Sequence, residues 1–192
     1  APNEFSDSIG TPLQRALIFV NNALVGCGLR DKIKIAASGK VGSAFMIARN
    51  IAIGADWCNA ARGFMMAVGC IQAQTCHTNR CPVGVATQDP VRQRALDVGD
   101  KSERTYHFHR NTMATLAEIV AAAGLDHPSD IEPRHISKGI SDTHMKTYDE
   151  LYQFLKPGEL LDNRTEPDYQ PYWEMASADT FRATGLVAPA KA

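Results

Sequence analysis

Behind Thr11-Pro12, Leu13, Ala16, Leu17, Val20 and Leu24 recur at helical spacing, and Thr11 reads as the N-cap of a helix whose first position is proline. Gly26 and Gly28 stop it. Lys32 to Ala37 (KIKIAA) is short, apolar and β-branched enough for a strand. Ser38-Gly39-Lys40-Val41-Gly42-Ser43 then turns the chain into a second helix that buries Ala44, Ile47, Ala48, Ile51 and Ala52. After Gly54 a second strand is expected over Ala55 to Ala60, and Arg62-Gly63 opens a greasy helical segment, FMMAVGC, that runs into a cysteine cluster. Helix, strand, helix, strand, helix with short connections is the order of parallel βα units. Their ligands sit where strand C-terminal ends meet loops and helix N-termini.

From Asp89 onward the pattern changes to longer helices. Met113, Leu116, Ala117, Val120 and Ala123 share a face before Gly124, and a further helix is expected over Ser141 to Leu155 with Met145, Tyr148, Tyr152 and Leu155 inward. Pro157-Gly158 ends it, and the text beyond reads as an extended polar arm. The expected organisation is α/β: the last two βα units of a (β/α)8 TIM barrel over residues 1–69, a cysteine loop over 70–90, a helical annex over 91–160 and a polar tail over 161–192. A full barrel takes eight strands in roughly 250 residues, so the missing strands are expected on an N-terminal piece, in the same precursor or a separate chain. The opening APNEFSDSIG, without an initiator Met, reads as that of a fragment or processed product.

Composition narrows the function classes. Twenty basic against 21 acidic residues leave a net charge of -1, so no electrostatic footprint points to nucleic acid or an anionic membrane. No segment approaches the roughly 20 apolar residues of a membrane span. The cysteines number 5, an odd count, and three crowd together, which is not a secreted disulfide framework. A reducing compartment is expected, and with it a cytoplasmic location. Cys27 and Cys58, alone in apolar contexts, read as core thiols.

Cys70-IQAQT-Cys76-HTNR-Cys81-Pro82 is spaced too widely for the close pairs that open most structural zinc sites. Zinc stays open because His77 is available as a fourth ligand. Three thiolates on one compact loop with Pro after the last suit an iron–sulfur cluster, and three ligands would leave it short of one iron corner. Three buried free thiols are the plain alternative, but Gln72, Gln74, Thr75, Thr78 and Asn79 make the loop too polar for a core. His107, His109, His127, His135 and His144 read as surface or helix-packing residues.

The loop at 38–43 follows a strand and precedes a helix, so its N–H groups and the helix dipole suit a phosphate, with Lys40 as counter-charge. After the next strand, Ala60-Ala61-Arg62-Gly63 adds small residues and a guanidinium that binds phosphate bidentately. Paired loops after the last two barrel strands form a recurrent phosphate site, which makes FMN a candidate ligand. Ser38, Gly39, Lys40, Val41, Ala61, Arg62 and Gly63 are the candidate cofactor-binding residues.

Together, GADWCNAARGFMMAVGCIQAQTCHTNRCPVGVATQDP at 54 to 90 resembles the C-terminal end of the FMN-binding, iron–sulfur synthase domain of glutamate synthase. The likeness covers about residues 1 to 125, with Ala1-Pro2 similar to the residues just after that family's glycine-rich sixth-strand loop. It implies a glutamate synthase-like oxidoreductase of nitrogen metabolism. In that family reduced FMN delivers hydride to 2-iminoglutarate, formed from 2-oxoglutarate and ammonia, in glutamate biosynthesis. It also implies a [3Fe-4S] cluster on Cys70, Cys76 and Cys81, and a redox donor such as ferredoxin or a reductase subunit. Larger family members typically have Gly where this chain has Lys40, and Gly-Thr at Ala61-Arg62. The flavin-ring and substrate contacts belong to earlier strands, so no catalytic residue is assigned here. The competing functions are an electron-transfer or assembly module without flavin chemistry, and a zinc-stabilised subunit.

Overall fold

A computed structural model describes residues 8–163 and 166–182. Helix α1, Leu13–Gly26, begins where expected, although Pro12 stands at the cap without a side-chain bond and Thr11 does not cap. The first strand is shorter and later than the pattern suggests: Arg30–Lys32 form a 3-10 turn, and β1 spans Ala36–Ser38. Helix α2, Ala44–Ala52, starts on Ser43, whose hydroxyl accepts from Met46 N–H at 3.3 Å. Strand β2, Trp57–Asn59, leads into α3, Ala61–Ala67.

β1 and β2 pair in parallel, Ala36 with Trp57, Ala37 with Cys58 and Ser38 with Asn59. Alternation turns Ala37 into the core at 1% exposure, whereas Ala36, Ser38, Trp57 and Asn59 stand exposed. Two parallel strands with one open face and no further partner among the described residues are an incomplete sheet. Arg30 and Asp56 tie its N-terminal side together. Asp56 accepts from Ile35 N–H at 2.7 Å, Arg30 Nη2 at 2.8 Å and Lys34 Nζ at 3.3 Å, and Arg30 also donates to Asn21 Oδ1 and Gly54 O. Burial pushes the Asp56 carboxyl up, but the Ile35 amide and the two cations outweigh it and hold the group below its ordinary range.

After α4, Pro90–Gln93, the 25-residue helix α5, Val98–Ala122, crosses α2 and seals the core with Leu116 and Val120. Only those two of the predicted apolar face are buried; Met113, Ala117 and Ala123 remain exposed. Gly124 follows in the left-handed region at φ 72°.

The annex is not all helical. Over most of the helix expected at Ser141 to Leu155 the chain forms a hairpin, β3 Ser137–Ser141 and β4 His144–Thr147, paired antiparallel around Asp142-Thr143 with a bulge near Ile140. Thr147 N–H and hydroxyl both donate to Glu150, at 2.8 and 2.9 Å, so a reciprocal cap starts the helix only there, as α6, Tyr148–Leu151. Met145, expected inward, is 71% exposed, while Tyr148 and Leu155 are buried as expected.

The polar arm is likewise corrected within the described residues. It folds into α7, Glu159–Asp162, and α8, Gln170–Met175, around a second small core of Leu155, Leu160 and Tyr169. Phe19 of α1 stacks on Tyr169 at 4.9 Å and meets Tyr172 edge-on at the same distance. Residues 183–192 and the Ala1-Pro2 likeness lie outside the described residues.

Candidate functional site

Both predicted loops lie at the C-terminal ends of the parallel strands. Past Ser38, Gly39 (φ 154°) and Lys40 (φ 54°) turn the chain, Val41 anchors it at 2% exposure, and α2 begins at Ala44 behind the Ser43 cap. Lys40 therefore holds the left-handed conformation that glycine adopts without strain. Ser38, Gly39 and Lys40 are exposed.

The second loop comes to meet the first. Ala61 and Arg62 are exposed, but Gly63 is buried, and a Cβ there would lie 3.3 Å from Gly42 Cα and 2.9 Å from Phe108 Cζ. The absent side chain lets the first turn of α3 approach the 38–43 loop in van der Waals contact. The loop that carries Lys40 and the N-terminus of α2 is thereby brought against the turn that carries Arg62.

Arg62 also faces the cysteine loop. With Met65, Met66, Cys70, Gln72, Gln74 and Cys76 it lines a cavity of about 230 Å³. Gln72 N–H points at Cys70 Sγ at 3.4 Å, and Gln72, Gln74 and Asn79 all have positive φ, of 57°, 59° and 63°. Left-handed non-glycine residues at this density are conformational cost that surrounding structure must offset, a property concentrated at functional sites. Thr75 Oγ1 is buried without a partner in the same loop.

Cys76 is exposed at the start of a 3-10 turn, Cys76–Thr78, and Cys70 is half-buried. Cys81 is different: it is buried, and the backbone amides of Ala86, Val83, Val85 and Gly84 lie near its thiol. The Ala86 amide first, then the other three, outweigh burial and lower the thiol below its ordinary range, which favours thiolate. Cys81 does not line the Arg62 cavity, and among the described residues no three His, Cys, Asp or Glu side chains stand close enough together to hold a metal. His77 opens with Cys76 and Asn79 onto a separate cavity of about 400 Å³ that neither Cys70 nor Cys81 lines.

The soft donors on one loop, the thiolate-favouring amides at Cys81 and the unpartnered Thr75 hydroxyl fit a sulfur-ligated anionic group. Cys58 is unlike them: burial raises its thiol, opposed by Asn50 Nδ2 at 3.7 Å, as expected of a core thiol. Cys27 is half-buried against the second core. Sequence reasoning missed Lys101 and Arg104 of α5, whose tips stand within 4 Å of where a Cβ on Gly69 would lie, just before Cys70. Their spacing of three on a helix was the available signal.

A larger cavity, about 840 Å³, runs beside the free edge of β2 between Trp57 and Cys58 on one side and Phe108, Thr112 and Leu116 on the other. No predicted site residue lines it, although Arg30, Asp56, His109 and His127 do.

Two parallel βα units, with strand-end loops that meet and an adjoining cysteine loop, make this an α/β chain. The profile described as a conserved region in glutamate synthase matches residues 1–126, and the chain belongs to that family. It is 41% identical over 153 residues to the glutamate synthase large subunit-like protein YerD of Bacillus subtilis, covering 79% of this chain and 29% of that protein. The archaeal glutamate synthase [NADPH] of Methanocaldococcus jannaschii is 32% identical over 126 residues, 66% of this chain and 25% of the relative. Ferredoxin-dependent glutamate synthase 2 of Synechocystis is 31% identical over 118 residues, 61% of this chain and 8% of the relative. The chain thus spans less than a third of the length of these relatives.

Proposed function

We propose that this chain is the C-terminal part of a glutamate synthase-like oxidoreductase that carries FMN and a [3Fe-4S] cluster. The observation that carries the reading is Arg62, which belongs to the loop pair joined at Gly42 and Gly63 and also lines the cavity of Cys70 and Cys76. A flavin phosphate held by the loops would then lie next to the cluster.

In this arrangement the amides of the 38–43 loop, Lys40 and Arg62 would hold the phosphate, and Cys70, Cys76 and Cys81 would hold the iron. Bound there, the flavin supplies hydride and the cluster single electrons for reductive amination of 2-oxoglutarate to glutamate by way of 2-iminoglutarate. This chain's own share is binding and electrostatics: cations beside the anionic groups, and amides turned toward sulfur.

The open face and free edges of β1 and β2 fit an N-terminal remainder that completes a (β/α)8 barrel and brings the substrate-binding residues. The electron donor is a separate redox protein, such as the ferredoxin named for the Synechocystis relative, or a reductase subunit. Free thiols suit a reducing cytoplasm, and no helix among the described residues is long and apolar enough to cross a membrane.

The test is the iron, sulfide and FMN content of the protein purified anaerobically with its N-terminal remainder. Cys76→Ser should lose iron and visible absorbance; full retention of both would remove Cys76 from the ligand set.

A further inference from the structure

The hairpin of β3 and β4 is the part of the molecule least accounted for by its own fold. Its root is fixed: Ile136 and Tyr148 are 3% and 4% exposed, and Tyr148 N–H donates to Ile136 O at 2.9 Å. Beyond the root every residue from Ser137 to Lys146 is exposed, including two large apolar ones, Ile140 at 52% and Met145 at 71%. A two-stranded ribbon open to water on both faces is marginal by itself. Lys138 stands directly opposite Lys146, and like charges so placed weaken the pair further. Glu150 attracts Lys146, but its carboxylate is taken up by the Thr147 N–H and hydroxyl. The two-residue tip adds an exposed acid, Asp142.

A matching receptor is present on the same chain. A cleft of about 800 Å³ runs between α1 and the C-terminal segment, walled by Phe19, Tyr152, Tyr169 and Tyr172, with Arg15 and Asp168 on its lining. Both charged residues are exposed, and neither is in an ion pair with another described residue. Aromatic walls suit a methionine thioether and lysine ammonium groups. Asp168 complements the lysine pair, and Arg15 complements Asp142. Tyr152, on the cleft wall, is separated from the hairpin only by the single turn of α6. An arm and a cleft this close along one chain can be exchanged about a two-fold axis, which makes both contacts at once.

We propose that the partner of this surface is a second copy of the chain: the hairpin of each copy seats Met145 and its lysines in the aromatic cleft of the other, as a reciprocal dimer. The dimer needs neither FMN nor iron and stands apart from the cofactor reading.

Sedimentation velocity on the protein assembled with its N-terminal remainder is the test. Wild type should dimerise at micromolar concentration. Lys146→Glu and Asp168→Lys each set like charges against one another at both contacts of a homodimer, and each should weaken it about a hundredfold, or about tenfold per contact. Lys146→Glu keeps the ribbon, because its carboxylate faces Lys138. Mixed in equal amounts, the two variants should dimerise again: one contact of the mixed dimer joins the two substituted positions with opposite charges, and the other is wild type. A monomeric wild type overturns the proposal. So does a dimer that withstands either substitution, or a mixture that stays monomeric although both variants keep the wild-type far-UV spectrum. Should either variant fail to fold, Met145→Asp on the exposed arm decides: folded protein that has lost the dimer supports the proposal, and an unchanged dimer overturns it. A single copy bound to a different protein in place of the dimer also overturns it.

Discussion

Gly63→Ala is the substitution that bears most directly on the two-loop site. Its methyl would lie 2.9 Å from Phe108 Cζ, 3.4 Å from Phe108 Cε1 and 3.3 Å from Gly42 Cα. The Phe108 contact is with the end of a ring that can swing, at the expense of its edge-on pairing with Phe64 at 5.1 Å, a pairing worth about 0.5–1.5 kcal/mol. Gly42 is backbone and has to recede by a few tenths of an ångström. Overpacking of this kind costs about 1–3 kcal/mol. Alanine in a helix returns up to about 1 kcal/mol relative to glycine, and no positive φ at Gly63 adds to the loss. The net expectation is a loss of about 1 kcal/mol in urea denaturation. The FMN affinity of the assembled protein, read by flavin fluorescence, should fall by more than that small destabilisation accounts for. A loss of about tenfold, or roughly 1.4 kcal/mol, is expected because the loops that share the phosphate are pushed apart. A destabilised variant with unchanged FMN affinity would refute the idea that the two loops form one site.

Arg62→Ala should weaken FMN binding by about 1.5–3 kcal/mol in the same titration with little change in folding, since Arg62 is exposed and its phosphate contact is charge-assisted. Asp56→Asn should lower stability by about 1.5 kcal/mol at neutral pH, where the carboxylate bonds to Ile35 N–H and Arg30 are intact. Because the native carboxyl lies below its unfolded value, that contribution is complete above the ordinary carboxylate range and disappears as pH falls through the native value. Denaturation midpoints of wild type and variant should therefore converge in acid; a gap that persists there would contradict the ion-pair account. Leu160→Ala, at a side chain 1% exposed against Gly26, should cost about 2–5 kcal/mol and release the C-terminal segment to protease first. Protection unchanged by the substitution would show that the second core does not hold that segment.

The order of helices and strands through residue 67 was legible because each element is short, carries one clear period and is bounded by glycine. The hairpin at Ser137 to Thr147 was not. Met145, Tyr148, Tyr152 and Leu155 fall at helical spacing by coincidence, while the signals for the true structure were local: a two-residue Asp142-Thr143 connection and Thr147 with Glu150 as a capping box. In the tail, Tyr169, Tyr172 and Trp173 are spaced for a helical face, but Pro171 and the flanking acids disguise it; proline occupies the first turn of α8, where its missing N–H does no harm. At the site, residue types suggested an anion loop and a metal-binding cysteine loop, and the structure brings the two phosphate-loop candidates together at Gly42 and Gly63. The approach of Gly63 to Gly42 and that of the cations Lys101 and Arg104 to the chain near Cys70 are contacts between separate segments, which no local pattern encodes.

The central claim is that Cys70, Cys76 and Cys81 ligate iron. Elemental analysis and a visible spectrum of the anaerobically purified protein test it most directly: brown protein with bound iron and acid-labile sulfide is the expected result, and colourless protein containing zinc and no iron would contradict it.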